Sequence, residues 1–304
     1  MYDVIVIGGG PAGFTAGLYT SRAKLETLII ERAYFGGQMS IANQMENYPG
    51  FEGISGSLLA DKMLKQAEKF GAKAILDEVV DLDLDSKIKK VITRSGTYEA
   101  KSVILCMGAS PRKLGLPNEE KLTGSGVSYC ATCDGAFFRD REVAVVGGGD
   151  TAAEDAIYLS RFCSKVYLIH RRDELRATKT LSDLILSNPK IIPVWNSVVE
   201  EIQGEYMVEG IRVRNIKTDD VTDIKLSGLF IAIGYMPNSQ LVQGKVELTG
   251  DGYIKADENM QTNVPGVFVA GDVREKQLRQ VVTAASDGAV AGSSAEQYLS
   301  KNKL

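Results

Sequence analysis

The chain has 304 residues, 44% hydrophobic and 24% charged, a composition that leaves room for two globular domains and excludes a disordered chain. A formal net charge of −4 excludes non-specific attraction to nucleic acid or anionic lipid, and no apolar run reaches the length of a membrane span. No secretory signal is visible at the N-terminus, and two of the four cysteines form a CxxC. Because this cysteine usage suits a reducing compartment, we expect a cytoplasmic protein.

The N-terminus is predicted to fold as a βαβ unit of a nucleotide-binding domain. The predicted strand, helix and second strand are Tyr2–Ile7, Pro11–Arg22 and Glu26–Glu31. Three glycines at dinucleotide-binding spacing, Gly8, Gly10 and Gly13, span the turn after the first strand and the start of the helix. They permit a tight turn and bring a pyrophosphate to the helix N-terminus, where free N–H groups favour anions. Glu31, at the end of the second strand, can accept hydrogen bonds from a ribose diol.

A second βαβ unit repeats this pattern. Its predicted strand, helix and strand are Glu142–Val146, Asp150–Phe162 and Lys165–His170. A constant shift places Gly147, Gly149 and Ala152 on the three glycines of the first unit. The same shift places His170 on Glu31, and the basic residues that follow are Arg171, Arg172 and Arg176. Because guanidinium groups bind a 2′-phosphate that an acid would repel, the second site is predicted to prefer NADPH over NADH.

The chain is predicted to form two nested domains. Val103–Pro111 and Phe230–Pro237 are each read as an apolar strand closed by Gly-x-x-Pro, and each is expected to end one domain's sheet. Strand Val267–Ala270 and a helix near Gln280–Leu299 then return to the first domain. The predicted fold class is α/β, with two Rossmann-like, three-layer domains. Residues 1–112 and 238–304 form the first, residues 113–237 form the second, inserted one, and two crossings make a double hinge.

The CxxC of Cys130 and Cys133 lies just before the first Rossmann strand of the inserted domain. Two intervening residues let the sulfurs reach bonding distance, and this motif commonly lowers the pKa of one thiol. The alternative is half of a zinc site, but zinc needs four ligands and the sequence offers one histidine and no second CxxC. We therefore predict a redox pair and no metal. Cys106 and Cys163 are interpreted as small core residues.

A cycling disulfide needs a proton donor for its leaving thiolate, and the sole histidine is already placed at the second nucleotide site. Asp134, directly after Cys133, becomes a competent acid if desolvation raises its pKa. The alternative is that Asp134 only begins an Asp-Gly turn. Phe137 and Phe138 follow, and the sequence leaves open whether they anchor the core or form an exposed docking patch for a protein partner.

Over essentially its whole length the sequence resembles the low-molecular-weight thioredoxin reductases. The shared motifs are GGGPAG at Gly8–Gly13, GGQM at Gly36–Met39, ENYPG at Glu46–Gly50, CATCDG at Cys130–Gly135, GGGDTA at Gly147–Ala152, HRRDELR at His170–Arg176, VFVAGDV at Val267–Val273 and RQVVTAASDGAVA at Arg279–Ala291. The resemblance implies FAD in the first site, bound by Gly8, Gly10, Pro11, Ala12, Gly13, Glu31, Gln38, Asn47, Val80, Gly108, Asp272, Arg279, Gln280 and Val281. It implies NADPH in the second, bound by Gly147, Gly149, Asp150, Thr151, Ala152, His170, Arg171, Arg172 and Arg176.

The resemblance also implies an activity. NADPH would reduce FAD, electrons would open the Cys130–Cys133 disulfide with Asp134 as acid, and the dithiol would reduce thioredoxin. A homodimer and a large rotation of the inserted domain are expected with it. The alternatives are a ferredoxin-linked thioredoxin reductase, a flavin dithiol oxidase of the same fold, or a nucleotide-binding sensor with a dead redox centre. The intact HRRDELR segment argues against the ferredoxin-linked enzyme, and the spacing does not say which cysteine attacks the partner.

Overall fold

The computed structural model describes residues 1–42 and 44–303. The strands are β1 Tyr2–Ile7, β2 Thr27–Glu31, β3 Lys73–Leu76, β4 Val79–Asp83, β5 Lys89–Thr93, β6 Thr97–Leu105, β7 Ala109–Pro111, β8 Val127–Ser128, β9 Glu142–Val146, β10 Lys165–Ile169, β11 Ile191–Val194, β12 Ser197–Gln203, β13 Gly210–Asn215, β14 Val221–Lys225, β15 Gly228–Ile231, β16 Tyr235–Pro237 and β17 Val267–Val269. The α-helices are α1 Pro11–Arg22, α2 Gly56–Lys69, α3 Ala131–Asp134, α4 Asp150–Ser160, α5 Lys179–Ser187 and α6 Val281–Asn302. Three short 3₁₀ helices are Gly37–Ile41, Gly135–Phe138 and Gln240–Val242. The predicted α/β fold class with parallel sheets is confirmed.

The chain divides into two compact units. Unit 1 combines Met1–Ser110 with Met236–Leu304, and unit 2 is Pro111–Tyr235. In the part of the chain that the structure describes, none of the helices combines the length and the apolarity needed to cross a bilayer.

Unit 1 is built on a parallel sheet of order β3-β2-β1-β6-β17. The first half of β6 instead pairs with β5 in antiparallel fashion, and β4 continues that side. The central strands are continuous apolar runs because both faces of the sheet are buried. One face packs against α1, α2 and α6, and the other packs against residues of β4 and β5 and against Val242, Val246 and Ile254. Helices α1 and α6 pack at close range, since a Cβ on Gly288 would lie 2.2 Å from the carbonyl oxygen of Ala12. This contact holds the N-terminus of α1 beside the start of α6.

Unit 2 contains a parallel sheet of order β11-β10-β9-β15-β8 and an antiparallel sheet of order β12-β13-β14. Alternate side chains of β9 enter two different cores, because successive residues of a strand point to opposite faces. Val143 and Val145 pack with the apolar face of α4. Ala144 and Val146 pack with the antiparallel sheet. The first residues of α4 are thereby fixed at the carboxyl end of β9.

Two predicted strands are interrupted in the structure. The predicted strand Val103–Pro111 is divided between β6 and β7, with Gly108 at φ +67° between them. The predicted strand Phe230–Pro237 is divided between β15 and β16 in the same way, with Gly234 at φ +104°. A positive φ cannot continue a strand, so each break falls at the glycine of the Gly-x-x-Pro closure. Helix α4 also ends at Ser160, two residues earlier than predicted.

Candidate redox and nucleotide sites

The first glycine turn has two positions that packing reserves for glycine. A Cβ on Gly8 would lie 2.2 Å from the carbonyl oxygen of Cys106, and one on Gly13 would lie 1.9 Å from the carbonyl oxygen of Gly8. Gly10 differs, because a Cβ there would meet only the carbonyl oxygen of Gly36, at 3.9 Å. Gly10 is the N-cap of α1, no side chain caps this helix, and Pro11 is its first residue. Ala12 and Gly13 follow in the first turn, so the N–H groups that an anion would use are aligned here.

We expect alanine at Gly13 and alanine at Gly10 to act differently. Gly13→Ala should lower the free energy of unfolding of the flavin-free protein by about 3 kcal/mol or more, because the clash is with backbone. Gly10→Ala should change the free energy of unfolding by about 1 kcal/mol or less, because the added methyl enters open space. It should weaken flavin binding roughly tenfold or more, because that space is where the pyrophosphate would lie. Denaturant unfolding and flavin fluorescence titration measure the two quantities. Equal destabilisation by both substitutions would contradict this assignment.

Glu31 is held at the end of β2 by the glycine turn itself. Its Oε2 accepts the N–H of Gly9 at 2.8 Å, and its Oε1 accepts the N–H of Ala33 at 3.1 Å. Each carboxylate oxygen retains a second acceptor position, which a ribose hydroxyl can use. Val80 lies in β4 three residues after Asp77, whose N–H donates to the carbonyl oxygen of Glu31 at 2.8 Å. Val80 therefore follows a segment tied to the same end of the sheet.

Two predicted flavin contacts that are far apart in sequence meet in unit 1. Nδ2 of Asn47 donates to Oε1 of Gln280 at 3.0 Å, across 233 residues of sequence. Gln280 caps α6 through a reciprocal pair of hydrogen bonds with Thr283, and Val281 is the first residue of the helix. Gln38 is exposed on the 3₁₀ helix that follows the glycine at 36. Asn47, Gln280 and Val281 therefore lie together at the N-terminus of α6.

Asp272 and Arg279 carry buried polar atoms that other described residues leave unsatisfied. Oδ1 of Asp272 and Nε of Arg279 have no hydrogen-bond partner among residues 1–42 and 44–303. Burial raises the pKa of Asp272, against the opposite effect of the charges on Lys276 and Arg279. The Arg279 guanidinium lies 4.2 Å from the centroid of the Tyr253 ring. Unpaired buried polar groups cost free energy unless a ligand satisfies them, so these atoms fit a bound polar cofactor. Gly108, at positive φ, adjoins open space, because no atom lies within 4 Å of the position that its Cβ would occupy.

The second glycine turn repeats the division between packed and open positions. A Cβ on Gly147 would lie 2.4 Å from the carbonyl oxygen of Ala232, whereas a Cβ on Gly149 would meet no atom within 4 Å. Gly149 is the N-cap of α4, and the helix begins at Asp150 with the exposed Thr151 and the buried Ala152. Oδ1 of Asp150 accepts the N–H of Thr178 at 2.7 Å. The Asp150 side chain therefore ties the start of α4 to the chain just after Arg176.

His170 packs against this turn and presents a buried nitrogen. A Cβ on Gly148 would lie 2.2 Å from Cε1 of His170, so the imidazole covers the glycine. Nε2 of His170 is buried and finds no hydrogen-bond partner in the part of the chain that the structure describes. Burial lowers the pKa of His170, and the charges of Arg176, Arg172 and Arg171 lower it further. The imidazole is therefore neutral near pH 7.

Arg171, Arg172 and Arg176 are exposed, and no ion pair engages them within the described ranges. The neighbouring Asp173 binds Lys217 instead, at 2.7 Å. Three free guanidinium groups beside a glycine turn form a site for an anion such as a phosphate.

Cys130 and Cys133 form a disulfide, with their Cα atoms 5.3 Å apart. Cys130 is the N-cap of α3, and its carbonyl oxygen accepts the N–H of Cys133 at 3.2 Å and of Asp134 at 3.1 Å. The two other cysteines, Cys106 and Cys163, are buried free thiols. Within residues 1–42 and 44–303 no group of three or more His, Cys, Asp or Glu could hold a metal ion.

Asp134 is half-buried beside the disulfide segment. Its Oδ2 accepts the hydroxyl of Ser128 at 2.6 Å, and the Ser128 oxygen accepts the N–H of Cys130 at 3.1 Å. Burial raises the pKa of Asp134, and the Ser128 hydrogen bond opposes the rise. Asp134 ends α3 and Gly135 continues helically at φ −58°, so the Asp-Gly pair does not form a β-turn here. A Cβ on Gly135 would lie 2.8 Å from Cδ2 of Leu159, so a larger residue at this position would displace a buried side chain.

The two adjacent phenylalanines divide between the interpretations that the sequence left open. The Phe138 ring packs edge-on against Phe230 at a centroid distance of 5.3 Å, so Phe138 anchors the core. Phe137 is 51% exposed. The choice depends on the direction of each side chain in the 3₁₀ helix, which dipeptide composition does not encode.

Sequence reasoning missed a buried charged cluster behind the Gly271–Asp272 turn. The Asp287 carboxylate, on the small-residue face of α6, is buried and accepts the N–H of Gly271 at 3.1 Å and Nζ of Lys276 at 2.9 Å. Arg274 also pairs with it. The available signal was an acid among the alanines and glycines of α6, where a charge needs a partner to be buried.

Comparison with known proteins gives consistent matches over the full length. The family model described as pyridine nucleotide-disulphide oxidoreductase matches residues 2–288. A thioredoxin reductase of Peptoclostridium acidaminophilum is 50% identical, covering 99% of this chain and 98% of that protein. A thioredoxin reductase of Streptomyces coelicolor is 50% identical, covering 98% and 94%. The solved thioredoxin reductase of Streptococcus pyogenes is 48% identical and aligns with a TM-score of 0.94 over 99% of each chain.

Proposed function

The chain belongs to the pyridine nucleotide-disulphide oxidoreductase family, and we propose that it is an NADPH-dependent thioredoxin reductase. Bound FAD would supply the redox chemistry that links NADPH to the Cys130–Cys133 disulfide, and the resulting dithiol would reduce thioredoxin. The observation that carries this proposal is a CxxC disulfide in the same unit as a glycine turn beside three arginines that form no ion pair with the described residues. The relatives that are named thioredoxin reductase and that match this chain over nearly all of its length support the same activity.

We assign one cofactor to each unit. The FAD-binding domain comprises residues 1–112 and 238–304, and the NADPH-binding domain, which carries the disulfide, comprises residues 113–237. FAD supplies two-electron chemistry between a hydride donor and a disulfide when it is bound. Gly10 would leave space for its pyrophosphate, Glu31 would accept hydrogen bonds from its ribose, and the unsatisfied atoms of Asp272 and Arg279 would find hydrogen-bond partners on it.

The second site selects its nucleotide through positive charge. A 2′-phosphate would meet Arg171, Arg172 and Arg176, which form no ion pair with any described residue. The neutral His170 would offer an Nε2 that has no hydrogen-bond partner among those residues. An acid at the position of His170 would repel that phosphate. NADPH is therefore the proposed donor rather than NADH or ferredoxin.

The redox segment, Tyr129–Asp134, carries out the thiol–disulfide exchange and the proton transfer. Two electrons and one proton convert the Cys130–Cys133 disulfide into one thiolate and one thiol, and we assign the proton to Asp134. A thiolate of the pair then attacks the disulfide of oxidised thioredoxin to form a mixed disulfide. The remaining cysteine attacks that bond, which releases reduced thioredoxin and restores the Cys130–Cys133 disulfide.

Asp134→Asn should slow thioredoxin reduction about 10²-fold, because the amide has the shape of the carboxyl group but no acidic proton to donate. The pKa of Asp134 is raised, so the acid form persists to higher pH than for a surface aspartate. The wild-type rate of this step should fall as pH rises through that pKa, and the fall should be absent in the variant. Thioredoxin-dependent NADPH oxidation against pH measures both effects. The control is Asp140→Asn, at an exposed position with φ +58° that asparagine tolerates. An unchanged pH profile in Asp134→Asn would exclude this carboxyl as the acid.

We also propose that the enzyme is a cytoplasmic homodimer, as the resemblance implies, and the buried free thiols Cys106 and Cys163 suit a reducing compartment. The activity itself is tested by mixing the flavin-loaded protein with NADPH and oxidised thioredoxin. We expect NADPH oxidation that depends on thioredoxin. A ferredoxin-linked enzyme would leave NADPH unused, and a dithiol oxidase would consume oxygen and form disulfides instead.

A further inference from the structure

Unit 2 contains a closed ring of hydrogen bonds that joins the redox segment to both ends of the unit. Its centre is Tyr129, the residue before Cys130. The Tyr129 hydroxyl donates to Oε1 of Glu119 at 2.8 Å, and the Tyr129 carbonyl oxygen accepts the hydroxyl of Tyr235 at 2.7 Å. Tyr235 is the last residue of unit 2. None of these residues contacts a nucleotide in the proposed function.

Glu119 ties the other end of the unit to the same tyrosine. Its side chain is almost fully buried, at 1% exposure, and it accepts three successive backbone N–H groups. These donors are Leu114 at 2.9 Å, Gly115 at 2.7 Å and Leu116 at 3.2 Å. Since unit 2 begins at Pro111, this carboxylate fixes its first turn of chain. A buried carboxylate with four donors has little freedom to move.

The ring closes through the two ends themselves. The N–H of Arg112 donates to the carbonyl oxygen of Gly234 at 2.9 Å. The peptide group between Tyr129 and Cys130 is also bound on both sides, because its N–H donates to Oγ of Ser128 at 3.1 Å while Tyr235 donates to its oxygen. The backbone of Cys130 is therefore fixed relative to the first and the last residues of the unit.

We propose that Glu119, Tyr129 and Tyr235 are positioning residues that fix the Cys130–Cys133 disulfide to both ends of unit 2. The proposal rests on the proposed function. The chain enters and leaves the unit at these two ends, so a disulfide bound to them keeps its position relative to both connections. Electron transfer to a disulfide and thiol exchange both need close placement of sulfur, and a misplacement of about 1 Å can cost about 10²-fold in rate. The nucleotide residues lie on other elements, so the NADPH step does not depend on this ring.

The variants Tyr129→Phe and Tyr235→Phe each remove one hydroxyl and keep the aromatic side chain. Each variant therefore breaks the ring of hydrogen bonds at one point. Tyr129→Phe leaves Glu119 with its three N–H donors, so the buried charge stays satisfied. The matched control is Tyr167→Phe, which removes a hydroxyl that donates to Glu142 at 2.9 Å on β10 of the same unit. All are measured as flavin-loaded enzymes under anaerobic conditions for flavin bleaching by NADPH, and in steady state with thioredoxin.

Both test variants should lower kcat for thioredoxin about 5- to 20-fold, which is the rate equivalent of one lost buried hydrogen bond. Their KM for thioredoxin and their rate of flavin bleaching should stay within about two-fold of wild type, as should every parameter of Tyr167→Phe. A kcat within about two-fold of wild type, or an equal loss in both steps, would overturn the positioning role. A wild-type enzyme without thioredoxin-dependent turnover would instead refute the proposed function.

Discussion

Cys133→Ser should reduce NADPH-dependent reduction of thioredoxin by about 10³-fold or more, while NADPH still bleaches the bound flavin. Serine cannot form a disulfide, so electrons that reach the flavin have no path to the partner. The same loss is expected for Cys130→Ser, since each sulfur is one half of the bond. Stopped-flow absorbance separates the two half-reactions, and a thioredoxin assay measures the whole.

The matched control is Cys163→Ala, in the same unit. Burial raises the pKa of the Cys163 thiol to about 11, so this residue is inert at neutral pH. Its replacement should leave turnover within about two-fold of wild type and lower only the stability. Full turnover by Cys133→Ser would show that another group accepts the electrons.

The double substitution Arg171→Gln and Arg172→Gln should raise KM for NADPH by about 10²-fold and leave KM for NADH within about two-fold. Each guanidinium that meets a phosphate contributes about 1.5–3 kcal/mol, and NADH has no 2′-phosphate to lose. The wild-type preference for NADPH should also weaken as salt rises, because these side chains are exposed.

Steady-state KM values for the two nucleotides measure this preference. The control is Arg161→Gln, an exposed arginine of the same unit that lies beside Tyr158 rather than the glycine turn. It should leave both values unchanged. A parallel rise of KM for NADH and NADPH in the double variant would mean that the arginines do not read the 2′-phosphate.

The nucleotide turns could be predicted from the sequence because their determinants are local. The strand–turn–helix pattern lies in consecutive residues, and Gly13 is required by the carbonyl oxygen of Gly8 in the same turn. The contact that requires Gly8, with the carbonyl oxygen of Cys106, is by contrast long-range. The Gly-x-x-Pro closure at Gly108 was predicted, but the separate short strand β7 that follows its positive φ was not. Periodicity reports which face is buried, and it says nothing of a single positive φ.

The long-range contacts could not be predicted by the same reasoning. Nothing near Asn47 points to Gln280, and the burial of Glu119 beneath Tyr129 depends on how the first loop of unit 2 folds back. The division between Phe137 and Phe138 likewise needs the position of Phe230. The contacts of Asp272 and Arg279 with the cofactor were implied only by the resemblance, and the structure adds a physical reason for both in their unsatisfied buried atoms, as it does for His170.

The most direct test is an anaerobic absorbance titration of the flavin-loaded protein, first with NADPH and then with oxidised thioredoxin. The flavin band should bleach with NADPH, far less readily with NADH, and return on addition of thioredoxin in wild type but not in Cys133→Ser. A protein that binds no flavin, or whose bleached flavin is not restored by thioredoxin, would contradict the proposed path of electrons.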